Sequence, residues 1–173
     1  RPTTRALREL ATLNKKYYTK IMKLTKYEHS GLVIEEQGRK QVIDPWVFSD
    51  SFKPTNVIDC VVVTHVHPDH FDLERLKAIR TLNPEAMICT VQEVADQVGD
   101  LKVEIIDANR SCTHGPFHNS FYGGKHAVIH KTLPVWQNIG VVVNEKFYYP
   151  GDSFTVPEGV EVSLLAVPSI APW

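Results

Sequence analysis

Short apolar segments broken by turn residues recur along most of the chain, and they predict a protein built mainly of strands. Residues 32–34 and 41–43 flank the turn residues 37–40, a pattern typical of a β-hairpin. The continuous apolar run CVVV at residues 60–63 lies within a predicted strand over 57–64. Because this run has no polar face, we expect the strand to be buried on both sides.

Helical patterns alternate with further strands after this run. Leu73, Leu76 and Ile79 recur about every third residue, so residues 72–79 predict a helix. A second helix is predicted over 91–98. Further strands are predicted at 87–90, 103–106, 125–129, 139–144, 146–149 and 162–167, the last of them buried. The pattern indicates one domain of the α/β or α+β class with two packed sheets.

The first 21 residues differ in character from the rest. Residues 1–20 contain six basic side chains and one acidic side chain, whereas the whole chain has a formal net charge of −1. Apolar residues between positions 3 and 13 recur at helical intervals and predict a short amphipathic helix. We interpret residues 1–21 as a basic extension that need not be native, and residues 22–173 as the folded domain.

Composition argues against several classes of function. A net charge of −1 gives no electrostatic basis for binding nucleic acid or an anionic membrane. No apolar run reaches the roughly 18 residues that a membrane-spanning helix needs. The cysteines Cys60, Cys89 and Cys112 are too few and too scattered for a disulfide framework. They predict a reducing compartment, so we expect a cytoplasmic protein.

Three histidines and an aspartate fall within six residues, directly after the predicted buried strand: His65, His67, Asp69 and His70. Alternate side chains of an extended chain share a face, so His65 and His67 should point together. Asp69 and His70 follow a proline, where the chain turns, and can face a second point. The pattern predicts a site for up to two divalent metal ions. Imidazole nitrogens and a carboxylate favour Zn²⁺, with Mn²⁺ or Fe²⁺ as alternatives.

The run THVHPDH at residues 64–70 resembles the HxHxDH signature of the metallo-β-lactamase superfamily. Two later segments, GGKHAVIH at 123–130 and YPGDS at 149–153, are similar to that family in order and approximate spacing. The segment EHSG at 28–31 is similar to the branch that includes ascorbate-6-phosphate lactonase-like proteins. The resemblance implies a metallo-β-lactamase-like αββα sandwich, in which two mixed β-sheets are flanked by helices.

The resemblance also implies metal ligands. It assigns His65, His67 and His126 to the first metal, Asp69 and His70 to the second, and Asp152 to a bridging position between the two. His130 is the alternative to His126, and the histidine that is not a ligand would be structural. Asp69 would also be catalytic, because it could orient the attacking water and take its proton.

Four other residues have weaker assignments. The resemblance alone suggests that His29 lines the mouth of the site. Asp44 resembles a loop aspartate of the family, although turn chemistry explains it equally well. We expect His114 and His118 to be surface or hydrogen-bonded histidines rather than ligands.

The sequence departs from the family at one point. The family's final histidine ligand, which follows another helix, has no counterpart after Asp152. We interpret this as the absence of a C-terminal helix and strand. The surface that those elements would cover is then expected to support self-association.

The expected function is that of a metal-dependent hydrolase. It would use a metal-bound hydroxide on a small-molecule ester, lactone or phosphoester. The alternative is a non-catalytic metal-binding or interaction module with an incomplete dinuclear site.

Overall fold

The computed structural model describes residues 22–47 and 51–169, and within them two mixed β-sheets share one hydrophobic core. This confirms the predicted fold class. The strands are β1 Lys23–Lys26, β2 Leu32–Glu36, β3 Arg39–Ile43, β4 Ile58–Val63, β5 Met87–Thr90, β6 Glu104–Ile105, β7 Ser111–His114, β8 Phe117–Gly123, β9 Ile139–Val143, β10 Phe147–Tyr149 and β11 Leu164–Leu165. The helices are α1 Leu73–Leu82 and α2 Gln92–Ala95.

The first sheet has the strand order β1-β2-β3-β4-β5-β6. Its first three strands are antiparallel, and β3, β4, β5 and β6 run parallel. The second sheet has the order β11-β10-β9-β8-β7, antiparallel except for the pairing of β10 with β11. The edge strands β6 and β7 are consecutive along the chain but belong to different sheets.

Helix α1 provides the crossover between the parallel strands β4 and β5. It begins after Asp72, whose carboxylate accepts hydrogen bonds from the backbone N–H groups of Glu74 and Arg75. Leu76 and Ile79, which lie on one helix face, are fully buried in the core. The predicted helix over 72–79 is therefore confirmed, and it continues to Leu82.

A pair of buried amides connects the two sheets. Gln41 in β3 and Asn119 in β8 are both fully buried. Gln41 Nε2 donates to Asn119 Oδ1 at 2.8 Å, and Asn119 Nδ2 donates to Gln41 Oε1 at 3.0 Å. Each amide satisfies the other, so this polar contact is tolerated inside an otherwise apolar interface.

Several predicted elements are wrong. Residues 125–129 form no strand, and Val128 is 61% exposed. The predicted helix at 91–98 is helical only over Gln92–Ala95. The strand predicted at 162–167 is reduced to Leu164–Leu165, whose side chains are exposed rather than buried. The short amphipathic helix predicted between positions 3 and 13, and the whole basic extension 1–21, lie outside the described residues.

Three strands, β1, β7 and β8, are not predicted by the sequence pattern. Strands β7 and β8 carry many polar residues, including Ser111, Thr113 and Ser120. In β8 the side chains of Phe117, Asn119 and Phe121 are buried, and the polar Asn119 interrupts the apolar row that would predict a strand. In the described part of the chain, no helix is long and apolar enough to cross a membrane.

Replacing Asn119 by alanine should lower the free energy of unfolding by about 2–3 kcal/mol, because the Gln41 amide would lose its partner inside the core. Urea unfolding monitored by circular dichroism measures the loss. The matched control is Ser111→Ala on the neighbouring strand, which is exposed and should change stability by no more than about 0.5 kcal/mol. Equal effects of the two substitutions would contradict the role assigned to the amide pair.

Candidate metal centre

The candidate centre lies at the carboxyl ends of the parallel strands β3 and β4. The chain leaves β3 at Asp44, whose backbone N–H donates to Val62 O in β4 at 2.9 Å. It leaves β4 at Thr64, directly before His65. Because neighbouring parallel strands end at the same sheet edge, Asp44 and the histidine run are brought together although about twenty residues separate them.

The carboxylate of Asp44 is fully buried and orders this edge. Its Oδ1 accepts the Thr64 backbone N–H at 2.7 Å, and its Oδ2 accepts the Thr64 hydroxyl at 2.8 Å. His70 Nδ1 also donates to Asp44 Oδ2, at 2.7 Å. Asp44 therefore fixes the orientation of the His70 ring and leaves His70 Nε2 directed elsewhere.

The same carboxylate controls His65 through Thr64. The Thr64 hydroxyl has one proton and donates it to Asp44, so at its 3.0 Å contact with His65 Nδ1 it must accept. His65 Nδ1 then carries the ring proton, and Nε2 presents a lone pair. This Nε2 atom is buried and has no hydrogen-bond partner among the described residues.

His126 is held on an irregular segment that crosses the centre. Its Nδ1 donates to the carbonyl oxygen of Ala127 at 2.6 Å, which leaves Nε2 to face the site. The ring of His67 contacts the rings of both His126 and Trp136, with centroid distances of 4.7 and 4.6 Å. His130, the alternative ligand, instead has its Nδ1 2.8 Å from Thr132 Oγ1 and is exposed.

Asp152 occupies the position between two groups of nitrogen donors. Its Oδ2 lies 3.5 Å from His126 Nε2 and 3.9 Å from His65 Nε2. Its Oδ1 lies 3.5 Å from His70 Nε2. The two carboxylate oxygens thus face different histidines, an arrangement that allows one carboxylate to contact two metal ions.

Local backbone geometry places Asp152. Gly151 has a φ of +62°, and a Cβ atom there would clash with Asn138 Oδ1 and lie 2.9 Å from Thr64 Oγ1. Asn138 is fully buried, accepts the Asp152 backbone N–H at 2.9 Å and donates to Pro150 O at 2.8 Å. A glycine is required because the turn is both left-handed and tightly enclosed.

The donor atoms form two adjacent groups. His65, His67, His126 and Asp152 offer ligand atoms within 4.8 Å of one another, and so do His29, Asp69 and His70. His29 Nε2 lies 2.8 Å from Asp69 Oδ2, so the structure brings a histidine to the second group that the sequence placed only at the site mouth. The structure thus gathers all six predicted ligand residues and adds His29.

The charges of these groups suit a cation. Burial lowers the pKa of His65 well below its usual value and also lowers that of His67, so both rings are neutral. Burial alone would raise the pKa of Asp152, but His126 and His70 lower it below its usual range, and the carboxylate is ionised. Neutral imidazoles beside a carboxylate, with the buried His65 Nε2 lone pair among them, fit a divalent metal.

His70 behaves differently in the metal-free protein. Burial lowers its pKa, but the carboxylates of Asp44 and Asp152 more than compensate and raise that pKa to about 10. The ring then carries a proton on each nitrogen, with Nε2–H directed at Asp152. A metal ion at this position would take the place of that proton, since a histidine ligand must be neutral.

Comparison with known proteins places this geometry in a family. The sequence model described as beta-lactamase superfamily domain matches residues 23–168, which is most of the chain and includes every residue of both donor groups. The chain belongs to the metallo-β-lactamase superfamily. This confirms the family resemblance that rested on the histidine run.

Curated relatives of this superfamily member include proteins from a bacterium and an archaeon. Protein Rv0786c of Mycobacterium tuberculosis is 33% identical over 157 residues, which are 88% of this chain and 73% of that protein. A UPF0173 metal-dependent hydrolase of Aeropyrum pernix is 31% identical over 150 residues, or 76% of this chain. The chain spans 61% of the length of the Aeropyrum protein.

Solved structures show the same fold at low sequence identity. A metal-dependent hydrolase from Parabacteroides distasonis aligns with a TM-score of 0.63 and 19% identity over 79% of this chain and 63% of its own. A metallo hydrolase from Ignicoccus hospitalis aligns with a TM-score of 0.56 and 22% identity, over 76% of this chain and 61% of its own. At these identities the alignments support the fold only.

Several residues that position the metallo-β-lactamase site have no assigned role in the sequence pattern. They are Thr64, Asn138 and Tyr149, and for Asp44 the pattern allows either a turn residue or a family loop residue. The sequence signal for Asp44 is its place directly after the predicted strand at 41–43. The hydroxyl of Tyr149, 3.5 Å from His70 Nδ1, had no such signal, because its position depends on the second sheet.

Gly151→Ala should reduce metal binding at the centre, because the new methyl group displaces Asn138 or Thr64 and moves Asp152. Gly159→Ala is a matched control, since Gly159 has a similar φ of +68° but open space around it. Both substitutions carry about 1–2 kcal/mol of backbone strain, yet only Gly151→Ala should lower the metal content per chain, measured by elemental analysis. An unchanged metal content in Gly151→Ala would contradict the assigned role of this turn.

In the chain freed of metal by chelation, His70 should stay protonated until the pH approaches about 10, whereas the lowered pKa of His65 should leave that ring already neutral at its usual value of 6.5. Asp44→Asn should bring the pKa of His70 down, because burial then outweighs the remaining carboxylate. The raised pKa means that His70 stabilises the metal-free fold fully below its usual value of 6.5, and that this contribution is lost as the pH rises through about 10. Imidazole chemical shifts followed by NMR test each point, and a His70 titration near 6.5 would refute the assignment.

Proposed function

We propose that this chain forms the metal-holding domain of a hydrolase that acts on small esters, lactones or phosphoesters. The observation that carries the proposal is the position of Asp152, whose two carboxylate oxygens face two separate groups of histidines. Relatives that carry the name metal-dependent hydrolase support the same reaction class. The activity and the substrate remain our proposal.

Each group of donors would hold one divalent ion. His65, His67 and His126 would bind the first, and Asp69 and His70, with His29, would bind the second. Asp152 would contact both. We propose Zn²⁺ as the ion, because imidazole and carboxylate ligands suit it, with Mn²⁺ or Fe²⁺ as alternatives. When bound, divalent ions acidify a water molecule and polarise a carbonyl or phosphoryl oxygen.

Asp69 is the residue best placed to handle a proton in this reaction. Its side chain is 38% exposed, so it can reach both solvent and substrate. Its Oδ2 lies 2.8 Å from His29 Nε2, and its backbone carbonyl accepts a hydrogen bond from Ser30 Oγ. These contacts hold the carboxylate at the mouth of the site, where it can orient an attacking water and accept its proton.

An open cleft beside the second donor group provides room for a small substrate. Its volume is about 280 Å³, and its lining includes His29, His70, Asp152 and Lys26. Lys26 lies on the rim, hydrogen-bonded to the carbonyl oxygens of Tyr27 and His29. Its positive charge favours substrates that carry a phosphate or carboxylate, and a lactonase-like activity on a phosphorylated metabolite is our finer proposal.

The cytoplasmic location stays a prediction based on the sparse cysteines. Self-association also stays a prediction, which sedimentation of the chain can test. The exposed apolar side chains of Phe154, Val156 and Val167 offer a surface for it.

The deciding experiment combines metal content with turnover. The chain, purified without affinity metal and loaded with Zn²⁺ or Mn²⁺, should hydrolyse members of a panel of neutral and anionic lactones, esters and phosphoesters. Asp152→Asn should lower kcat by at least about a hundredfold, because the charge shared by both donor groups is removed. Lys26→Ala should raise KM for the anionic members more than for the neutral ones.

The matched control is Asp100→Asn, an exposed aspartate outside both donor groups, which should leave turnover unchanged. Turnover that persists in Asp152→Asn would point to a contaminating enzyme. A chain that binds metal stoichiometrically but hydrolyses nothing on the panel would contradict the proposal and support a metal-binding module instead.

A further inference from the structure

A second cluster of metal-ligating side chains lies where the edge strands of the two sheets meet. It comprises Cys89 in β5, Glu104 in β6, and Cys112 and His114 in β7. Each offers a ligand atom within 4.8 Å of those of the other three. None of the four belongs to the centre around Asp152, and the proposed hydrolysis makes no use of them.

The strands dictate how these four side chains meet. Cys89 and Glu104 are direct partners in the pairing of β5 with β6, so their side chains lie side by side on one face of the first sheet. Cys112 and His114 are two residues apart on β7 and share its inward face. The cluster is therefore two adjacent pairs, one from each sheet, that face each other across the open edge of the sandwich.

The separations within the cluster match a tetrahedral zinc site. The ligand-to-ligand distance in a tetrahedron is about 1.63 times the bond length, so Zn–S bonds of about 2.3 Å place two sulfurs about 3.8 Å apart. Cys89 Sγ and Cys112 Sγ are 3.8 Å apart. Nitrogen and oxygen ligands at about 2.0–2.1 Å lie about 3.3–3.4 Å apart, and His114 Nε2 is 3.3 Å from Glu104 Oε2.

The ring nitrogen His114 Nε2 has no hydrogen-bond partner among the described residues. This atom is buried, although a carboxylate oxygen lies 3.3 Å away. The two atoms are close but poorly aligned for direct hydrogen bonding, whereas a shared cation between them needs no such alignment. The side chains of His114 and Glu104 are 21% and 34% exposed, which leaves an entry path for an ion.

We propose that Cys89, Glu104, Cys112 and His114 form a structural zinc site that joins the edge strand β6 to the edge strand β7. Two sulfur ligands with one imidazole and one carboxylate select zinc over harder cations such as magnesium. Four protein ligands leave no open position, so the site would be structural rather than catalytic. Binding releases both thiol protons to solvent, because the ligand is the thiolate.

The competing interpretation is that the thiols are ordinary small core residues. Cys60 lies next to Cys89, with the two Sγ atoms 3.9 Å apart. Cys60 is not among the four residues whose ligand atoms lie close together. Cys60 is therefore the matched control for Cys112. His118, an exposed histidine on β8 outside the cluster, is the matched control for His114.

Cobalt(II) titration tests the proposal in the full chain, because cobalt bound to thiolates gives an intense sulfur-to-metal charge-transfer absorption in the near ultraviolet. The centre around Asp152 contains no sulfur and cannot produce this band. We expect the saturated band to correspond to one thiolate-bound cobalt per chain, to be lost in Cys112→Ser and to be kept in Cys60→Ser. The zinc content of protein purified without affinity metal should fall by one equivalent in Cys112→Ser.

Two more variants guard against a folding artefact. His114→Ala should keep a thiolate band but bind cobalt at least tenfold more weakly, whereas His118→Ala should match the original chain; circular dichroism confirms that each variant is folded. Absence of the band in the original chain, or its survival in folded Cys112→Ser, would overturn the proposal. So would a mass and thiol count that show Cys89 and Cys112 oxidised to a disulfide without metal.

Discussion

The buried carboxylate of Asp44 is the constraint on which the metal centre depends. It has no exposure to water, so it must be satisfied entirely by the protein, and three donors from Thr64 and His70 do so. Those same hydrogen bonds fix the tautomer of His65 and the orientation of His70. The Asp44 carboxylate thus directs the Nε2 atoms of His65 and His70 toward Asp152. Because the carboxylate and its three donors are paired, the core tolerates them.

The same arrangement sets the protonation states of the histidines when no metal is bound. Asp44 and Asp152 hold a proton on His70, while burial keeps His65 and His67 neutral. His70 would have to give up this proton to act as a ligand, and the buried lone pair of His65 Nε2 would be satisfied by a bound cation. Metal binding would therefore be coupled to proton release and to the packing of strands β3 and β4.

The three cysteines, unlike the histidine run, become neighbours only when the two sheets pack together. Cys60, Cys89 and Cys112 come from three strands of two sheets, and only the packing of those sheets makes them neighbours. As isolated sequence positions they indicated no more than a reducing compartment. In the folded chain, two of them become half of a donor set, because β6 and β7 are edge strands that no further strand covers among the described residues.

The sequence alone indicated the family, through motifs that resemble it. Local periodicity determined the apolar strand β4 and helix α1, and spacing made His65, His67, Asp69 and His70 candidate ligands. It failed over residues 125–138, an irregular segment whose path is set by contacts such as His126 N–H to Trp136 O and Ala127 N–H to Asp152 O. Such contacts join residues distant in sequence and leave no periodic trace. Tertiary structure alone decided the role of Asp44, the arrival of His29 beside Asp69, and the meeting of Cys89 with His114, since each depends on which strands become neighbours.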